Sequence, residues 1–346
     1  MNRAELLVVV AGMLSTLALT RLVLWQALRS GMLDVPNVRS SHKVPTPRGG
    51  GLAIAITILS GSVLSCWLRF TDATTMAAPL AMGAIVAAIG YMDDKRGLSA
   101  ATRFAVHLAA SVVTVTTLLF ATTTRGTIEP VSWAVAGVLV LGIAWSINLF
   151  NFMDGIDGIA ASEALFVAAS GAAFAFLSDH HGLFTILLLT ASASAGFLVW
   201  NWPPAKIFMG DVGSGFLGFW LGAMMVALYL SGVVSIWTSA ILAAAFIADS
   251  TTTLLRRLLR GEQWYEAHRT HAYQRLAVKW GSHTKVTSLL WLLNVLVLLP
   301  LAVVSVRWPE HAVWLAVTTL LGLAAACWLG GAGQGAQVAQ VSRPAS

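Results

Sequence analysis

Five aspartates could do chemistry because they form three short polar clusters in a sequence that is otherwise apolar. The clusters hold Asp93 and Asp94, Asp154 and Asp157, and Asp211. Adjacent carboxylates repel and raise each other's pKa unless a cation lies between them. Hard oxygen ligands suit Mg²⁺, with Mn²⁺ as the alternative. The clusters therefore predict a divalent-cation site, although each aspartate taken alone also fits a solvated helix end or a helix cap.

A basic segment further along the chain supplies histidine and positive charge. His268 and His271 flank Arg269, and Arg256 and Arg260 precede them. Histidine and arginine beside carboxylate-bound Mg²⁺ suit a pyrophosphate substrate. Zinc does not fit, because no cysteine or third local ligand accompanies the histidines. The basic charge alone also fits a surface that contacts anionic lipid headgroups.

The first polar segment, residues 34–51, is rich in proline and glycine. This composition predicts a non-helical and well-ordered loop. Its backbone N–H groups, with Lys43 and Arg48, could hold a phosphate group. A plain connector is an equal alternative when this segment is considered alone.

The elements that must position these residues are membrane helices. Hydrophobic residues make up 57% of the chain and charged residues 10%, against about 25% charged residues in a soluble domain. A bilayer-spanning helix needs roughly 20 apolar residues, and about eleven such segments follow one another. We predict an all-α polytopic membrane protein with one domain, residues 1–330, and a disordered tail, residues 331–346. The predicted spans are 4–28, 50–69, 76–92, 103–121, 131–150, 159–177, 183–200, 213–231, 234–257, 286–306 and 311–330.

Positive charge predicts which side of the membrane each connection faces. Most of the 21 lysines and arginines fall in connections on one side, and basic connections are cytoplasmic. The N-terminus is then outside and the C-terminus is cytoplasmic. All five aspartates face the cytoplasm, and the net charge of +6 needs no nucleic acid to explain it.

The motifs together resemble those of a known family, the polyprenyl-phosphate N-acetylhexosamine-1-phosphate transferases (glycosyltransferase family 4). Asp93-Asp94 is similar to its aspartate pair, residues 148–158 to its N-x-x-N-x-x-D-G-x-D-G segment, and residues 208–214 to its F-M-G-D-x-G-S segment. Residues 264–274 resemble the branch that initiates bacterial O-antigen chains, and they lack the triple histidine of the peptidoglycan members. Many members have a lysine after the aspartate pair, and Arg103 is the nearest candidate here, although arginine and lysine are not equivalent.

The resemblance implies a reaction and a place. A UDP-N-acetylhexosamine, with 6-deoxy sugars included, donates its sugar-1-phosphate to undecaprenyl phosphate, and UMP leaves. The reaction is Mg²⁺-dependent and is the first membrane step of O-antigen or related polysaccharide synthesis. It takes place at the cytoplasmic face of the bacterial inner membrane. The implied partners are the donor, the acceptor and membrane lipids, without nucleic acid, and a homodimer is left open.

The resemblance also implies roles for individual residues. Asp211 is the expected metal ligand, with Asp94 or Asp154 completing the shell, and Asp93 positions or deprotonates the lipid phosphate. Phe208 stacks on uracil. The implied catalytic set is Asp93, Asp94, Asp154, Asp157, His268 and His271, and the implied substrate-binding set is Lys43, Arg48, Asn148, Asn151, Phe208, Arg256, Arg260 and Arg269.

Two alternative functions, and the role of one residue, stay open. An ion-coupled transporter places ionisable groups near the midplane of the membrane, whereas these aspartates cluster at helix ends. A lipid-pyrophosphate phosphatase is weakened because the predicted outer loops hold no compact Arg/His pair. Asp249 lies inside a predicted span, where an ionisable group indicates function by default. The neighbouring threonines could equally satisfy its carboxylate.

Overall fold

The structure is a computed structural model that describes residues 3–36, 44–123, 133–263 and 268–334. It is a helical bundle with one two-stranded antiparallel hairpin, β1 (Leu33–Asp34) and β2 (Thr46–Pro47). The first eight helices are α1 (Arg3–Ser30), α2 (Gly51–Trp67), α3 (Ala73–Arg96), α4 (Ala100–Thr123), α5 (Trp133–Met153), α6 (Ile159–Leu177), α7 (His181–Asn201) and α8 (Asp211–Leu230). They are followed by α9 (Ile236–Leu242), α10 (Ala244–Leu259), α11 (Ala272–Trp280), α12 (His283–Leu293), a π-turn (Asn294–Leu298), α13 (Leu299–Arg307), a 3₁₀ turn (Pro309–His311) and α14 (Ala312–Leu329).

The prediction of an all-α polytopic membrane protein is confirmed. Across the described ranges, nine helical segments are long and apolar enough to cross a membrane, and α9 with α10 makes a tenth if the bent pair is one span. Each of the eleven predicted spans corresponds to helix. The count is lower than eleven because α2 has only 17 residues and α9 and α10 meet at an angle of 81°.

The second helix of the bent pair, α10, has two unlike sides. One side is buried and polar, with Asp249 and Thr253, while Leu255, Leu258 and Leu259 are exposed on the other side. The buried side contacts protein, since Asp249 accepts the N–H groups of Ala272 and Tyr273. The predicted span 234–257 is therefore two helices that meet after Leu242.

The sequence analysis missed α11, which forms inside the predicted loop 258–285. It begins after His271, which forms a capping box with Gln274, and it ends at Gly281 in the left-handed conformation. Capping boxes satisfy backbone groups that a helix start leaves unpaired. The helix has nine residues and is amphipathic, so hydropathy alone does not reveal it.

The core of the bundle consists of α6, α7 and α8, whose fully buried side chains include Phe197, Phe216 and Trp220. One ionisable residue lies inside this core. Glu163 of α6 is fully buried and accepts a 2.7 Å hydrogen bond from Asn294 Nδ2 in the π-turn. This polar pair ties α6 to the α12–α13 segment within the membrane region, and the sequence analysis did not identify it.

The hairpin places the first polar loop against the start of α8. Phe208 N donates to Pro47 O at 2.8 Å, and Gly50 N donates to Phe208 O at 2.9 Å. These two hydrogen bonds flank Arg48 and Gly49 and hold them beside Phe208, just before α8. The order predicted for this loop is present at residues 44–50, and Lys43 lies outside the described residues.

Candidate active site

Asp94, at the end of α3, caps the start of α8. Its Oδ1 accepts the N–H of Asp211 at 2.9 Å, and its Oδ2 accepts the N–H of Val212 at 3.0 Å. Arg48 donates from Nε to the same Oδ1 at 2.8 Å, and the Asp94 side chain is fully buried. The first N–H groups of a helix lack partners within the helix and carry partial positive charge. Asp94 therefore fixes where α8 begins, and with it the position of Asp211.

Gly90 allows α3 and α8 to approach closely enough for this cap. A Cβ atom at Gly90 would lie 2.5 Å from Asp211 O and 2.7 Å from the Cα of Val212. Any side chain there would separate the two helices. The same end of the bundle carries Arg48 and the five aspartates, and we call it the polar end.

Asp211 is held by side chains from two further helices. Its Oδ1 accepts a hydrogen bond from Asn151 Nδ2 of α5 at 3.1 Å, and its Oδ2 lies 3.4 Å from Arg103 Nη1 of α4. Arg103 Nη1 also pairs with Asp93, whose other oxygen accepts the N–H of Leu98 at 2.6 Å. Arg103 thus bridges two carboxylates. The side chain of Asp211 remains partly exposed, at 28%.

Asp154 differs from its neighbours because its carboxylate makes no hydrogen bond or ion pair with the part of the chain that the structure describes. It follows α5 and is half-buried. Burial raises the pKa of Asp154 well above its usual value, and the carboxylates of Asp211 and Asp94 raise it further against the opposing effect of Arg48. A half-buried carboxylate without a partner, close to another carboxylate, is a site that a cation would stabilise.

The donor set fits Mg²⁺ better than a metal held by protein ligands alone. Within the described ranges, no three His, Cys, Asp or Glu side chains are grouped to hold a metal ion. Mg²⁺ is usually bound through one or two carboxylates together with water and substrate phosphates. Asp154 and Asp211 supply two such carboxylates. Asp94, the other predicted ligand, already uses both oxygens at the start of α8.

Asp157 connects its own loop to two other segments of the chain. Its Oδ1 lies 3.2 Å from His283 Nδ1 at the start of α12, and its Oδ2 accepts the N–H of Ala205 at 3.0 Å. Its backbone carbonyl accepts a hydrogen bond from Thr287 Oγ1 at 2.9 Å. These contacts hold the loop between α5 and α6, which carries Asp154, against α12. The sequence analysis did not identify His283.

Asn201, also missed, supports the same loop from α7. Its Oδ1 accepts the N–H of Gly158 at 3.0 Å, and its Nδ2 donates to Ile207 O at 2.9 Å. The side chain is almost fully buried. An amide that uses both its donor and its acceptor in the interior fixes two backbone segments at once. The sequence feature that could have indicated Asn201 is its position directly after the predicted span 183–200.

Residues 268–271, which we call the histidine loop, pack against the end of α5. The ring of His271 stacks on Phe152 at 6.1 Å between ring centroids and on His268 at 4.9 Å. Tyr273 Oη donates to Phe152 O at 3.0 Å. A Cβ atom at Gly155 would lie 2.1 Å from that Oη, so a glycine is required for this approach. The structure thereby brings the predicted histidines to the Asn148–Gly158 segment.

Burial, together with the nearby charges of His271 and Arg257, lowers the pKa of His268 to about 3. His268 is therefore neutral at pH 7, and its ring nitrogens can serve as one hydrogen-bond donor and one acceptor. Its Nδ1 already lies 3.0 Å from Thr270 Oγ1. Positive charge for a phosphate group would come from nearby arginines and not from this ring.

The remaining predicted residues lie in different places. Asn148 donates to Ala144 O in its own helix at 2.8 Å. Phe208 is half-buried beside the hairpin, and Arg269 is half-buried in the histidine loop. Arg256 and Arg260 donate to backbone carbonyls of residues 328–333. Their predicted contact with a lipid phosphate stays a prediction.

A cavity of about 410 Å³ opens beside the carboxylates. It lies between the end of α1, the hairpin and the end of α3. Arg48, Asp94, Lys95 and Tyr91 line it together with the backbone of Gly49. This cavity gives small anionic groups access to Arg48 at the polar end.

Comparisons with known proteins give the family of the chain. Residues 76–229 match the family model described as "Glycosyl transferase family 4". The chain is 31% identical over 291 residues to the probable undecaprenyl-phosphate N-acetylglucosaminyl 1-phosphate transferase of Bacillus subtilis, which covers 82% of this chain and 80% of that protein. It is 33% identical over 310 residues to the decaprenyl-phosphate N-acetylglucosaminephosphotransferase of Mycolicibacterium smegmatis, with 77% and 73% covered. The chain belongs to glycosyltransferase family 4.

A third relative within glycosyltransferase family 4 is more distant. It is the phospho-N-acetylmuramoyl-pentapeptide-transferase of Lactococcus lactis, 26% identical over 280 residues, with 73% of this chain and 82% of that protein covered. The predicted family membership is confirmed. The family match includes all five aspartates, whereas Arg48 and the histidine loop lie outside residues 76–229.

Proposed function

We propose that this protein transfers N-acetylglucosamine-1-phosphate from UDP-N-acetylglucosamine to undecaprenyl phosphate. The products are undecaprenyl-pyrophosphoryl-N-acetylglucosamine and UMP. The carrying observation is Asp211, which lies near both Arg48 and Arg103, together with the nearby carboxylate of Asp154 at the polar end of an apolar bundle. One substrate is a lipid and the other is soluble in water, so the chemistry requires a site at a membrane surface.

The bond changes follow from the substrates. An oxygen of the acceptor phosphate attacks the phosphorus attached to the sugar, and the bond from that phosphorus to the UMP oxygen breaks. Little covalent work remains for the protein, so catalysis depends on positioning and on charge. Mg²⁺ held by Asp154 and Asp211 would neutralise charge on the pyrophosphate oxygens.

The residues of this chain supply the positioning. Arg48 and Arg103 lie on either side of Asp211 and offer guanidinium donors to phosphate oxygens. Asp93, which Arg103 orients, is the residue that we propose to position or deprotonate the lipid phosphate. Asp94 acts by fixing α8, so we assign it a positioning role in place of direct metal binding.

An apolar groove between α5, α8 and α9 fits the isoprenoid chain of the acceptor. Leu139, Ile143, Phe150, Leu221, Met225 and Ile236 line it. A polyprenyl chain is apolar and needs no hydrogen bonds, so van der Waals packing against such a lining can hold it. The groove runs along the helix that carries Asn151, which links it to the polar end.

The choice of sugar rests on the relatives and on the last polar segment. The relatives at 31–33% identity are named for N-acetylglucosamine, and the muramoyl-pentapeptide relative stands at 26%. The O-antigen role and a 6-deoxy donor come from the resemblance of residues 264–274. We propose the inner membrane as the location, with the polar end in the cytoplasm, where UDP-sugars are available.

The test is an assay of purified protein with undecaprenyl phosphate and a panel of UDP-sugars, in which UMP release and lipid-linked product are measured. The panel contains UDP-N-acetylglucosamine, a 6-deoxy N-acetylhexosamine donor and UDP-muramoyl-pentapeptide. We expect turnover with the first, loss of turnover in EDTA, and recovery on addition of Mg²⁺ or Mn²⁺. Turnover with the muramoyl donor alone would contradict the proposed sugar. Ion flux without turnover of any donor would favour the transporter.

A further inference from the structure

The end of the chain, as far as the structure describes it, is bound to the histidine loop. We call residues 330–334 the C-terminal strap. After α14 ends, Gly333 N donates to Thr270 O at 2.7 Å, and Ala332 is fully buried. The sequence analysis assigned residues 331–346 to a disordered tail, but residues 331–334 are packed and hydrogen-bonded. Residues 335–346 lie outside the described ranges.

Three arginines hold the strap by its backbone. Arg256 Nη1 donates to Trp328 O at 2.9 Å and to Ala332 O at 3.1 Å, and its guanidinium lies 4.3 Å from the centroid of the Trp328 ring. Arg260 Nη1 lies 3.5 Å from Gly333 O, and Arg275 Nη1 donates to Gln334 O at 3.0 Å. The carbonyl end of a helix carries partial negative charge, so cations there are stabilising.

Thr270 connects the strap to both histidines. Its Oγ1 is bonded to His268 Nδ1, and the next residue is His271, whose Nδ1 lies 3.3 Å from Asp249. The bond from Gly333 therefore restrains Thr270 from one side while Asp249 restrains His271 from the other.

We propose that the C-terminal strap is a positioning element that holds the histidine loop in the geometry needed to bind the UDP-sugar. The proposal rests on the proposed function. It also accounts for Arg256 and Arg260, because their donors already bind the backbone of residues 328–333. The strap acts through Thr270 and is not itself a catalytic group.

Gly333 shows that the strap is closely fitted. Its φ is +72°, and a Cβ atom would lie 2.8 Å from Thr253 O and 2.9 Å from Arg256 Cβ. Gly232 has the same φ of +72° but nothing within 4 Å of a Cβ atom. Replacement of each by alanine imposes the same backbone strain. Only Gly333→Ala also pushes the strap away from α10.

The first experiment compares two shortened chains in the UDP-sugar assay. A chain that ends at Gln334 keeps every strap contact, and a chain that ends at Leu329 loses them. We expect the longer chain to match the full chain within twofold. For the shorter chain we expect the KM for the UDP-sugar to rise about ten- to hundredfold, as for other displaced binding groups. The KM for undecaprenyl phosphate should stay within about twofold.

The second experiment uses the two alanine variants, which avoid truncation. Gly333→Ala should raise the KM for the UDP-sugar, and Gly232→Ala should leave it unchanged. Equal effects of the two variants would show that backbone strain alone is responsible and would overturn the proposal. A rise in the KM for undecaprenyl phosphate in place of the UDP-sugar would also overturn it and would return Arg256 and Arg260 to the acceptor.

A third measurement does not depend on activity. Hydrogen exchange of residues 268–275 should become faster in the chain ending at Leu329 and stay unchanged in the chain ending at Gln334. Unchanged exchange in both chains would show that the strap does not restrain the loop. If no chain turns over any UDP-sugar but exchange differs as expected, the proposed function fails while the restraint on the loop stands.

Discussion

Neighbouring aspartates at the polar end have different environments, although the sequence presents them alike. Asp94 is fully buried and accepts two backbone N–H groups of α8. Asp93 is paired with Arg103. Asp211 keeps a partly exposed carboxylate, and Asp154 has no hydrogen-bond partner among the described residues. The partly exposed carboxylate of Asp211 and the unpartnered carboxylate of Asp154 are therefore the ones that we assign to the cation.

Asp211→Asn tests this assignment, because the amide keeps the size of the side chain and loses its charge. Replacement of residues that only hydrogen-bond a metal ligand typically lowers activity 10–100-fold. Loss of the ligand itself should cost more, so we expect Asp211→Asn to lower turnover at least about a hundredfold. Asp179→Asn is the matched control, since Asp179 is exposed beyond the opposite end of α6. Turnover of Asp211→Asn within a few-fold of the unchanged protein would contradict the metal assignment.

Asp154→Asn tests the environment of the free carboxylate. A carboxyl group whose folded pKa is raised destabilises the fold as pH rises above its unfolded pKa, because the folded state disfavours the charged form. In EDTA we therefore expect Asp154→Asn to have a higher Tm than the unchanged protein at pH 8, with a smaller difference at pH 5. With Mg²⁺ and UDP-N-acetylglucosamine, only the unchanged protein should gain Tm. A Tm difference in EDTA that is the same at both pH values would contradict the raised pKa.

At the scale of elements, two helices begin at a carboxylate that another helix supplies. Asp94 of α3 accepts the first N–H groups of α8, and Asp249 of α10 accepts those of Ala272 and Tyr273 in α11 at 2.8 and 2.9 Å. Thr253 also donates to Asp249 at 3.1 Å. Each cap sets a functional side chain at the helix start, Asp211 in one case and His271 in the other. Thr253 thus contacts the Asp249 carboxylate, as one of the two alternatives predicted, and a function for Asp249 stays a prediction.

The start of α12 has a comparable supporting role through His283. His283→Ala removes the contact to Asp157 Oδ1, so the loop that carries Asp154 loses one of its ties to α12. We expect the KM for the UDP-sugar to rise roughly tenfold, as for other outer-sphere partners, with a smaller change in kcat. His311→Ala is the control, since His311 is exposed at the start of α14. Equal KM values for the two variants would show that His283 has no positioning role.

At the scale of the whole molecule, the aspartates of the candidate site lie together at one end of the bundle. The opposite end has its own cavity of about 320 Å³, with Asp72, His180 and His181 in its lining. Arginines pair with carboxylates at the polar end, through Arg48 and Arg103. A site that joins a lipid to a soluble substrate needs this asymmetry. A transporter would instead need polar access from both sides.

The sidedness of the bundle can be measured by cysteine labelling in intact bacterial cells. Arg96→Cys and Lys279→Cys place an exposed thiol at the polar end, and Asp179→Cys and His311→Cys place one at the opposite end. We expect a membrane-impermeant maleimide to label only the second pair, because basic connections face the cytoplasm. Cys66 and Cys327 are replaced by serine in the background chain. Labelling of the first pair alone would place the polar end outside the cell.

The amino-acid sequence determined the class of the protein and indicated the acidic residues of its candidate site. Apolar segments long enough to span lipid identify membrane helices without knowledge of their packing, because backbone groups in lipid must be satisfied within each helix. Acidic residues at helix ends, in an otherwise apolar chain, identified the polar end. The order of three short motifs identified the family. Each of these signals is local, so no contact between distant residues is needed to detect it.

Only the tertiary structure decided which of these residues contact one another. Asp94 and Asp211 lie 2.9 Å apart between Oδ1 and N, yet more than a hundred residues separate them along the chain. His283 reaches Asp157 over a similar separation, and the C-terminal strap reaches Thr270 over roughly half of it. The amphipathic helices α10 and α11 adopt their positions at the polar end through such contacts. Capping, ion pairing and burial are properties of neighbours in space, and a sequence pattern records only neighbours along the chain.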